Sequence, residues 1–341
     1  MDTDAAPVSG TPQSSPSSPL ALQLGFVLAA ALWAFADTSS MSSFVSSTLT
    51  TLATLTAVAL GSLYLFQDSL LYFPQVPDGA REQVMAPAAL GMPGEDVVLP
   101  TPDGASLAAI FCPQADDAAA AAAHTILFFH GNAGNAGHRL PNAYHLHNLG
   151  FNVLLAEYRG YGRSTGRPSQ AALEADAGLP LDWLLAQGHR IDTSRIIVFG
   201  RSLGGAVAIA LAAQRQDDIA ALVLENTFVS VVDMIDVVMP IFSPFKPLCS
   251  NPWRSADHMP SLTLPILFLS GLRDELVPAD HMARLYDLAP LPARKRIVTF
   301  ANGTHNETWL EPGYFDALAA FIRSDLPTIR AAMADSPEQS Q

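Results

Sequence analysis

The sequence predicts an α/β fold, a mostly parallel sheet covered on both faces by helices, and three observations carry that expectation. From residue 125 onward, short apolar runs rich in Val, Ile, Leu and Phe alternate with helix-length segments, the pattern of strands joined by helical crossovers. A Gly-x-Ser-x-Gly pentapeptide stands where one such run meets one such helix. The 341 residues are 49% hydrophobic, enough for a single large core.

Taken in order, the first strands are Val97–Leu99 and Leu107–Phe111, a hairpin about the Asp103-Gly104 turn. Core strands follow at 125–130, 152–157, 195–200, 220–225, 265–270 and 295–300, separated by helices near 137–149, 169–188, 203–216 and 279–288. The folded domain is placed at 95–330. The longest interval between core strands, 226–263, is read as a small cap. Functional loops of such a sheet lie at the carboxyl ends of its strands.

Residues 1–19, rich in Ser, Pro and Thr, are expected to be disordered, as is the tail 331–341. The region 20–66 between the first of these and the sheet is apolar. Leu20 to Ala36 carries a single Gln, whereas Phe44 to Phe66 carries several Ser and Thr. At ~1.5 Å rise per residue the second stretch spans about 34 Å, so 44–66 is the favoured transmembrane helix and the lipid bilayer an expected partner. Two other topologies compete: a two-helix hairpin, and a signal-like first segment cut after Ala34-Phe35-Ala36. No Lys or Arg precedes Arg81, so the positive-inside rule has nothing to count.

Composition excludes several classes. A net charge of −14, with 15% charged residues and no Lys/Arg cluster, argues against nucleic-acid binding. His138, His145 and His147 have no carboxylate or cysteine at ligand spacing and read as a solvated helix face, so no metal is expected. Cys112 and Cys249 read as buried thiols, compatible with either side of a membrane.

Two pentapeptides read Gly-x-Ser-x-Gly. Ser202, within Gly200–Gly204, follows the strand Ile196–Phe199 and precedes an apolar helix, which is the setting of a nucleophile at a strand-to-helix elbow. Ser164, within Gly162–Gly166, follows a polar stretch and is trailed by Pro168, so it reads as a loop residue. A serine hydroxyl is a weak nucleophile near neutral pH and needs an imidazole to take its proton. His305, after the last strand, is the expected base. Asp274, after the strand 265–270, is the expected acid that holds the imidazole tautomer. Glu225, at the end of the strand 220–225, competes for that role, and Asp182 reads as an exposed helix residue. The oxyanion needs backbone N–H donors. One is assigned to Leu203, the other to Asn132 in the His130–Asn135 turn, with Ala133 as the adjacent alternative. His130 is expected to prop that turn.

Six stretches then resemble one family: Phe129–Asn135, Tyr158–Ser164, Gly200–Gly205, Leu224–Phe228, Ser270–Pro278 and Gly303–Trp309. Together they look like the bud-emergence-type α/β hydrolases, whose animal relatives are named abhydrolase domain-containing protein thirteen. The resemblance covers about residues 60 to 325. It implies the α/β-hydrolase fold and a membrane-anchored serine hydrolase; a related group, the seventeen-numbered abhydrolases, removes palmitate from proteins. Glu307 departs from the pattern, standing where Asp is expected, and an Ala-rich insertion, Asp116 to Ala123, lengthens an early loop.

The expected activity is cleavage of a carboxylic ester or thioester through an acyl-enzyme, on a lipid-like or S-acylated protein substrate, with no cofactor. The Met-containing apolar stretch Val231–Phe242 suits an acyl pocket or ordinary packing. A serine peptidase and a catalytically silent membrane scaffold are the alternatives. Sequons at Asn302 and Asn306 bracket His305, and an endoplasmic-reticulum or other endomembrane location with a lumenal domain is preferred.

Overall fold

The protein is described by a computed structural model over residues 41–335. The expectations for residues 1–19, for Leu20–Ala36 and for 336–341 lie outside the described residues. The chain divides into two units at Phe66.

The first unit is the helix Met41–Leu65, with no charged residue and a mean hydropathy of 1.5. It is long and apolar enough to cross a membrane, and none of it is buried. Two of its hydroxyls are satisfied within the helix: Thr48 and Thr54 donate to the carbonyls of Phe44 and Thr50, one turn back.

The second unit is built on eight strands: β1 (Glu95–Pro100), β2 (Ser106–Cys112), β3 (Thr125–Phe129), β4 (Asn152–Ala156), β5 (Ile196–Arg201), β6 (Ala221–Glu225), β7 (Ile266–Gly271) and β8 (Lys295–Phe300). They lie in the order β1-β2-β4-β3-β5-β6-β7-β8, with β2 antiparallel to both neighbours and all other pairs parallel. Side chains alternate between faces along a strand. Leu127, Phe129, Val198, Leu222, Leu224 and Phe268 therefore face one cluster, which the helices Gln170–Asp176, Gly178–Leu185, Leu203–Arg215 and Ala279–Leu288 cover. Ile126, Phe128, Ile197, Phe199, Val223 and Leu267 face the other, covered by Leu140–Asn148 and Tyr314–Ala320. Each such side chain contributes about 1.5–3 kcal/mol on full burial.

Four expectations change. The helix expected at 169–188 is two helices, because Pro180 has no N–H to continue the first one. The Ala-rich insertion is a short helix, Asp117–Ala122, whose Asp116 carboxylate caps the Ala119 N–H. The tail expected from 331 is helical to Asp335, since Ile329 packs on the core and Arg330 donates to the Ser194 carbonyl. The folded unit begins at Phe66 rather than at 95, because Gln67–Met85 bonds along the turn that follows β3. Within 226–263, the helix Val231–Val238 tucks Met234 into the core and leaves Val237 and Val238 exposed, as is Ile241 in the helical segment Pro240–Leu248 that follows.

Candidate active site

Ser202 sits between β5 and the helix Leu203–Arg215 with φ 53° and ψ −120°. That left-handed conformation is costly for a residue with a Cβ, and close packing imposes it. A Cβ on Gly204 would lie 2.1 Å from the Phe129 carbonyl oxygen, and one on Gly200 2.3 Å from that of Gly204. Only glycines let strand and helix approach this closely. Ser202 N–H donates to the Glu225 carbonyl at 2.9 Å, and the Ser202 carbonyl accepts from Gly205 N–H at 2.9 Å and Thr227 Oγ1 at 2.7 Å.

Three of the expected side chains meet. His305 Nε2 lies 3.0 Å from Ser202 Oγ, and its Nδ1 lies 2.8 Å from Asp274 Oδ2. The other Asp274 oxygen accepts from the N–H groups of Leu276 and Val277 at 2.9 and 2.7 Å. A carboxylate only accepts, so Nδ1 carries the proton and Nε2 is left to receive one from Ser202. All three side chains are buried or nearly so. Glu225, the competing acid, turns elsewhere: it accepts from Tyr314 Oη at 2.9 Å and faces Arg201 Nε at 3.8 Å. Asp182 is a surface residue paired with Arg215 at 3.0 Å. Ser164 is fully buried, and its Oγ accepts from Ala108 N–H at 2.8 Å.

The turn His130–Asn135, expected to supply an oxyanion donor, lies against the elbow. A Cβ on Gly131 would stand 3.6 Å from Ser202 Cβ. Leu203 heads its helix, so its N–H has no intrahelical acceptor. Asn132 is held through its carbonyl, which accepts from Phe73 N–H and Tyr161 Oη, and through Nδ2, which donates to the Leu71 carbonyl. His130 does brace the turn: its ring nitrogens contact the Gly131 carbonyl and Glu157 Oε1, each at 2.7 Å. The three other histidines of this region do not cluster. His138 accepts from Asn135 N–H, His145 stacks on Phe315 and His147 contacts the Pro113 carbonyl.

The sequence reading missed the residues that hold the histidine loop. Arg201 Nη2 donates to the His305 carbonyl at 2.8 Å and to Asn306 Oδ1 at 3.0 Å. Asn226, at φ 45°, donates to Thr304 O and Thr308 Oγ1 and accepts from Gly271 N–H. Asn226 and Thr308 lie within the stretches that carried the family resemblance, but nothing in their local pattern points to each other. Nearby, burial pulls the Arg139 guanidinium down to about 10, still charged at neutral pH.

The family model described as serine aminopeptidase, S33, matches residues 120–256. Protein bem46 of Schizosaccharomyces pombe is 43% identical over 78% of this chain and 89% of its own length. The α/β hydrolase domain-containing protein WAV2 of Arabidopsis thaliana is 40% identical over 79% and 91%. A Saccharomyces cerevisiae protein described as an uncharacterized membrane protein is 36% identical over 80% and 94%. Among solved structures, an esterase of Pyrococcus furiosus superposes with a TM-score of 0.60 at 20% identity, covering 76% of this chain and 97% of the other. An α/β hydrolase of Vibrio vulnificus gives 0.59 at 22%, covering 71% and 88%. The two structures share the fold, and the identity to the fungal and plant relatives over most of their length goes further: the chain belongs to the bem46-type family of α/β hydrolase domain-containing proteins.

Proposed function

We propose that the protein is a membrane-anchored serine hydrolase that cleaves carboxylic esters or thioesters, with Ser202 as nucleophile, His305 as general base and Asp274 as the acid that orients it. The observation that carries this reading is the unbroken contact chain from Ser202 Oγ through the His305 ring to Asp274. As Ser202 Oγ attacks the acyl carbon, its proton passes to His305 Nε2, and the carbonyl oxygen becomes an oxyanion facing the N–H of Leu203 and that of Asn132 or Ala133. Collapse of the adduct returns the proton to the departing alcohol or thiol and leaves an acyl-Ser202. Water, deprotonated by the same imidazole, then releases the acid and restores the hydroxyl.

A lipid-like or S-acylated protein substrate suits this reading, palmitoyl-protein hydrolysis included. The apolar helix Met41–Leu65 would hold the site beside a bilayer, where such acyl groups concentrate, and one similar yeast protein is described as a membrane protein. Val237, Val238 and Ile241, exposed on the 226–263 segment, are apolar surface for an acyl chain. The match to a serine aminopeptidase model favours peptide cleavage as the second reading. The test is fluorophosphonate labelling of the full chain, with turnover of p-nitrophenyl esters, acyl thioesters and aminoacyl anilides side by side. Wild type and Ser164→Ala should label while Ser202→Ala and His305→Ala do not, and esters or thioesters should be turned over faster than anilides. A folded wild type that resists the probe overturns the proposal.

A further inference from the structure

The stretch Tyr158–Ser164 takes no part in the triad, and neither does the segment from Gln67 to Val76 that opens the second unit, yet both converge on the turn His130–Asn135. From one side, Tyr158 Oη donates to the His130 carbonyl at 2.6 Å and Tyr161 Oη to the Asn132 carbonyl at 2.9 Å. Glu157 contacts His130 Nε2 at 2.7 Å and accepts from Ala136 N–H at 2.8 Å. From the other side, Phe73 N–H is shared between the Asn132 carbonyl at 2.9 Å and Tyr161 Oη at 3.0 Å. The Leu71 carbonyl accepts from Asn132 Nδ2 at 3.1 Å, and the Val76 carbonyl from Gly134 N–H at 2.6 Å. The strap is pinned in turn: Tyr72 Oη donates to Asn251 Oδ1 and accepts from Trp253 Nε1, each at 3.0 Å.

Tyr161 is the joint of this arrangement. It is fully buried, and its hydroxyl touches both the strap and the turn. Asn132 is thereby gripped by its carbonyl and its side-chain amide, while its backbone N–H has no protein acceptor among the described residues. An oxyanion donor contributes most when it is fixed before charge develops, because no reorganisation is then needed in the transition state. A residue tied at two of its polar groups meets that requirement.

We propose that Tyr161 is a positioning residue for acyl transfer, clamping the Asn132 turn against the strap Leu71–Val76 and so aiming the oxyanion amide. The inference rests on Ser202 being the nucleophile. It gives a task to a strap that begins six residues beyond the apolar helix, which completes the site instead of serving as a passive tether.

The test uses the full-length chain in detergent micelles with a p-nitrophenyl ester and a trifluoromethyl ketone, whose tetrahedral adduct places an oxyanion in the same turn. Tyr161→Phe should lower kcat about tenfold, less than the ~10²–10³ lost when a donor is removed outright. KM should stay within about twofold, and affinity for the ketone should fall by the same factor as kcat. The pH profile of kcat/KM should keep its shape, since the His305–Asp274 pair is untouched. Asn132→Ala retains the backbone amide but loses the Leu71 tether, and should behave alike; it serves in place of Tyr161→Phe if that variant does not fold. Wild-type kcat and ketone affinity in the folded variant, a loss confined to KM, or a displaced pH profile each overturn the proposal. Labelling of wild type but not Ser202→Ala keeps the nucleophile assignment intact whatever the clamp variants do, whereas an unlabelled wild type removes both.

Discussion

Replacing Asp274 by Asn tests the acid in a way the geometry makes quantitative. Asp274 Oδ1 accepts from the N–H groups of Leu276 and Val277, so an asparagine there keeps its carbonyl oxygen on those two donors. Its amide nitrogen then faces His305 Nδ1 at the position now held by Oδ2, 2.8 Å away. An amide donates where the carboxylate accepted, so the ring must leave Nδ1 bare and carry its proton on Nε2, pointing at Ser202 Oγ. The base is filled before the reaction starts. The equivalent change in a chymotrypsin-type triad costs ~10⁴ in kcat; here a loss of about 10³–10⁴ is expected, which at 1.36 kcal/mol per decade is about 4–5.5 kcal/mol of barrier. KM should change little, and fluorophosphonate labelling should slow in proportion. Glu225→Gln is the paired control. It keeps an oxygen for Tyr314 Oη and removes only the charge facing Arg201, so stability should fall by about 1–3 kcal/mol with kcat within about tenfold of wild type. If Asp274→Asn turns over ester at near the wild-type rate, or Glu225→Gln costs more, the assignment of the acid is refuted.

Two further outcomes are expected. Burial holds the His281 imidazole below its ordinary value, and its Nδ1 accepts from Val229 N–H at 3.3 Å; burial also lowers half-buried His124, with Arg195 and Arg330 adding to the effect. The unfolded chain takes up these protons first, so their contribution to stability is complete above about pH 6.5 and is lost as pH falls toward the lowered folded values. Thermal melts should therefore show a lower Tm at pH 5.5 than at pH 7.5 and a smaller difference in His281→Gln; a Tm that rises on acidification contradicts this. For a lumenal domain, a glycan should appear on Asn302 and not on Asn306: both are exposed, but Asn306 Oδ1 accepts from Arg201 and its sequon partner Thr308 is fully buried. Protease digestion of the domain in sealed microsomes, with no mobility shift on endoglycosidase treatment, places it in the cytosol instead.

What the sequence made legible was what repeats or packs locally. Apolar runs such as Ile196–Phe199 and Ala221–Leu224 are buried on both faces, so they read as strands without help from their neighbours. That Ser202, Asp274 and His305 meet was readable because each follows the carboxyl end of a strand, β5, β7 and β8, where topology brings the three loops together. The part played by the strap Leu71–Val76 was not readable. Its bonds to the Asn132 turn run largely through backbone N–H and carbonyl groups, which leave no mark in side-chain pattern. Arg201 was hidden for a different reason: a charged residue at the end of a buried strand looks like a misfit until its donors are seen spanning to the His305 carbonyl, 104 positions away in sequence.

The elbow shows how local and distant contributions combine. A non-glycine residue in the left-handed region costs of order 1–3 kcal/mol and persists only where its surroundings over-determine it. Three hydrogen bonds fix Ser202's backbone, and they come from three places: Gly205 in its own helix, Glu225 at the end of β6 and Thr227 beyond it. A Cβ on Gly205 would lie 2.4 Å from the Thr227 side chain, so the small residue of the pentapeptide's aftermath and the threonine of the next strand's loop are two halves of one contact. Asn226, between Glu225 and Thr227, is itself at positive φ and reaches across to Thr304 and Thr308. The strained turn of Ser202 and the loop that carries His305 are thus held by adjacent residues of a single segment, Glu225–Thr227. A change in this segment therefore acts on both ends of the 3.0 Å contact between Ser202 Oγ and His305 Nε2 at once, through the bonds to Ser202's backbone on one side and to Thr304 and Thr308 on the other.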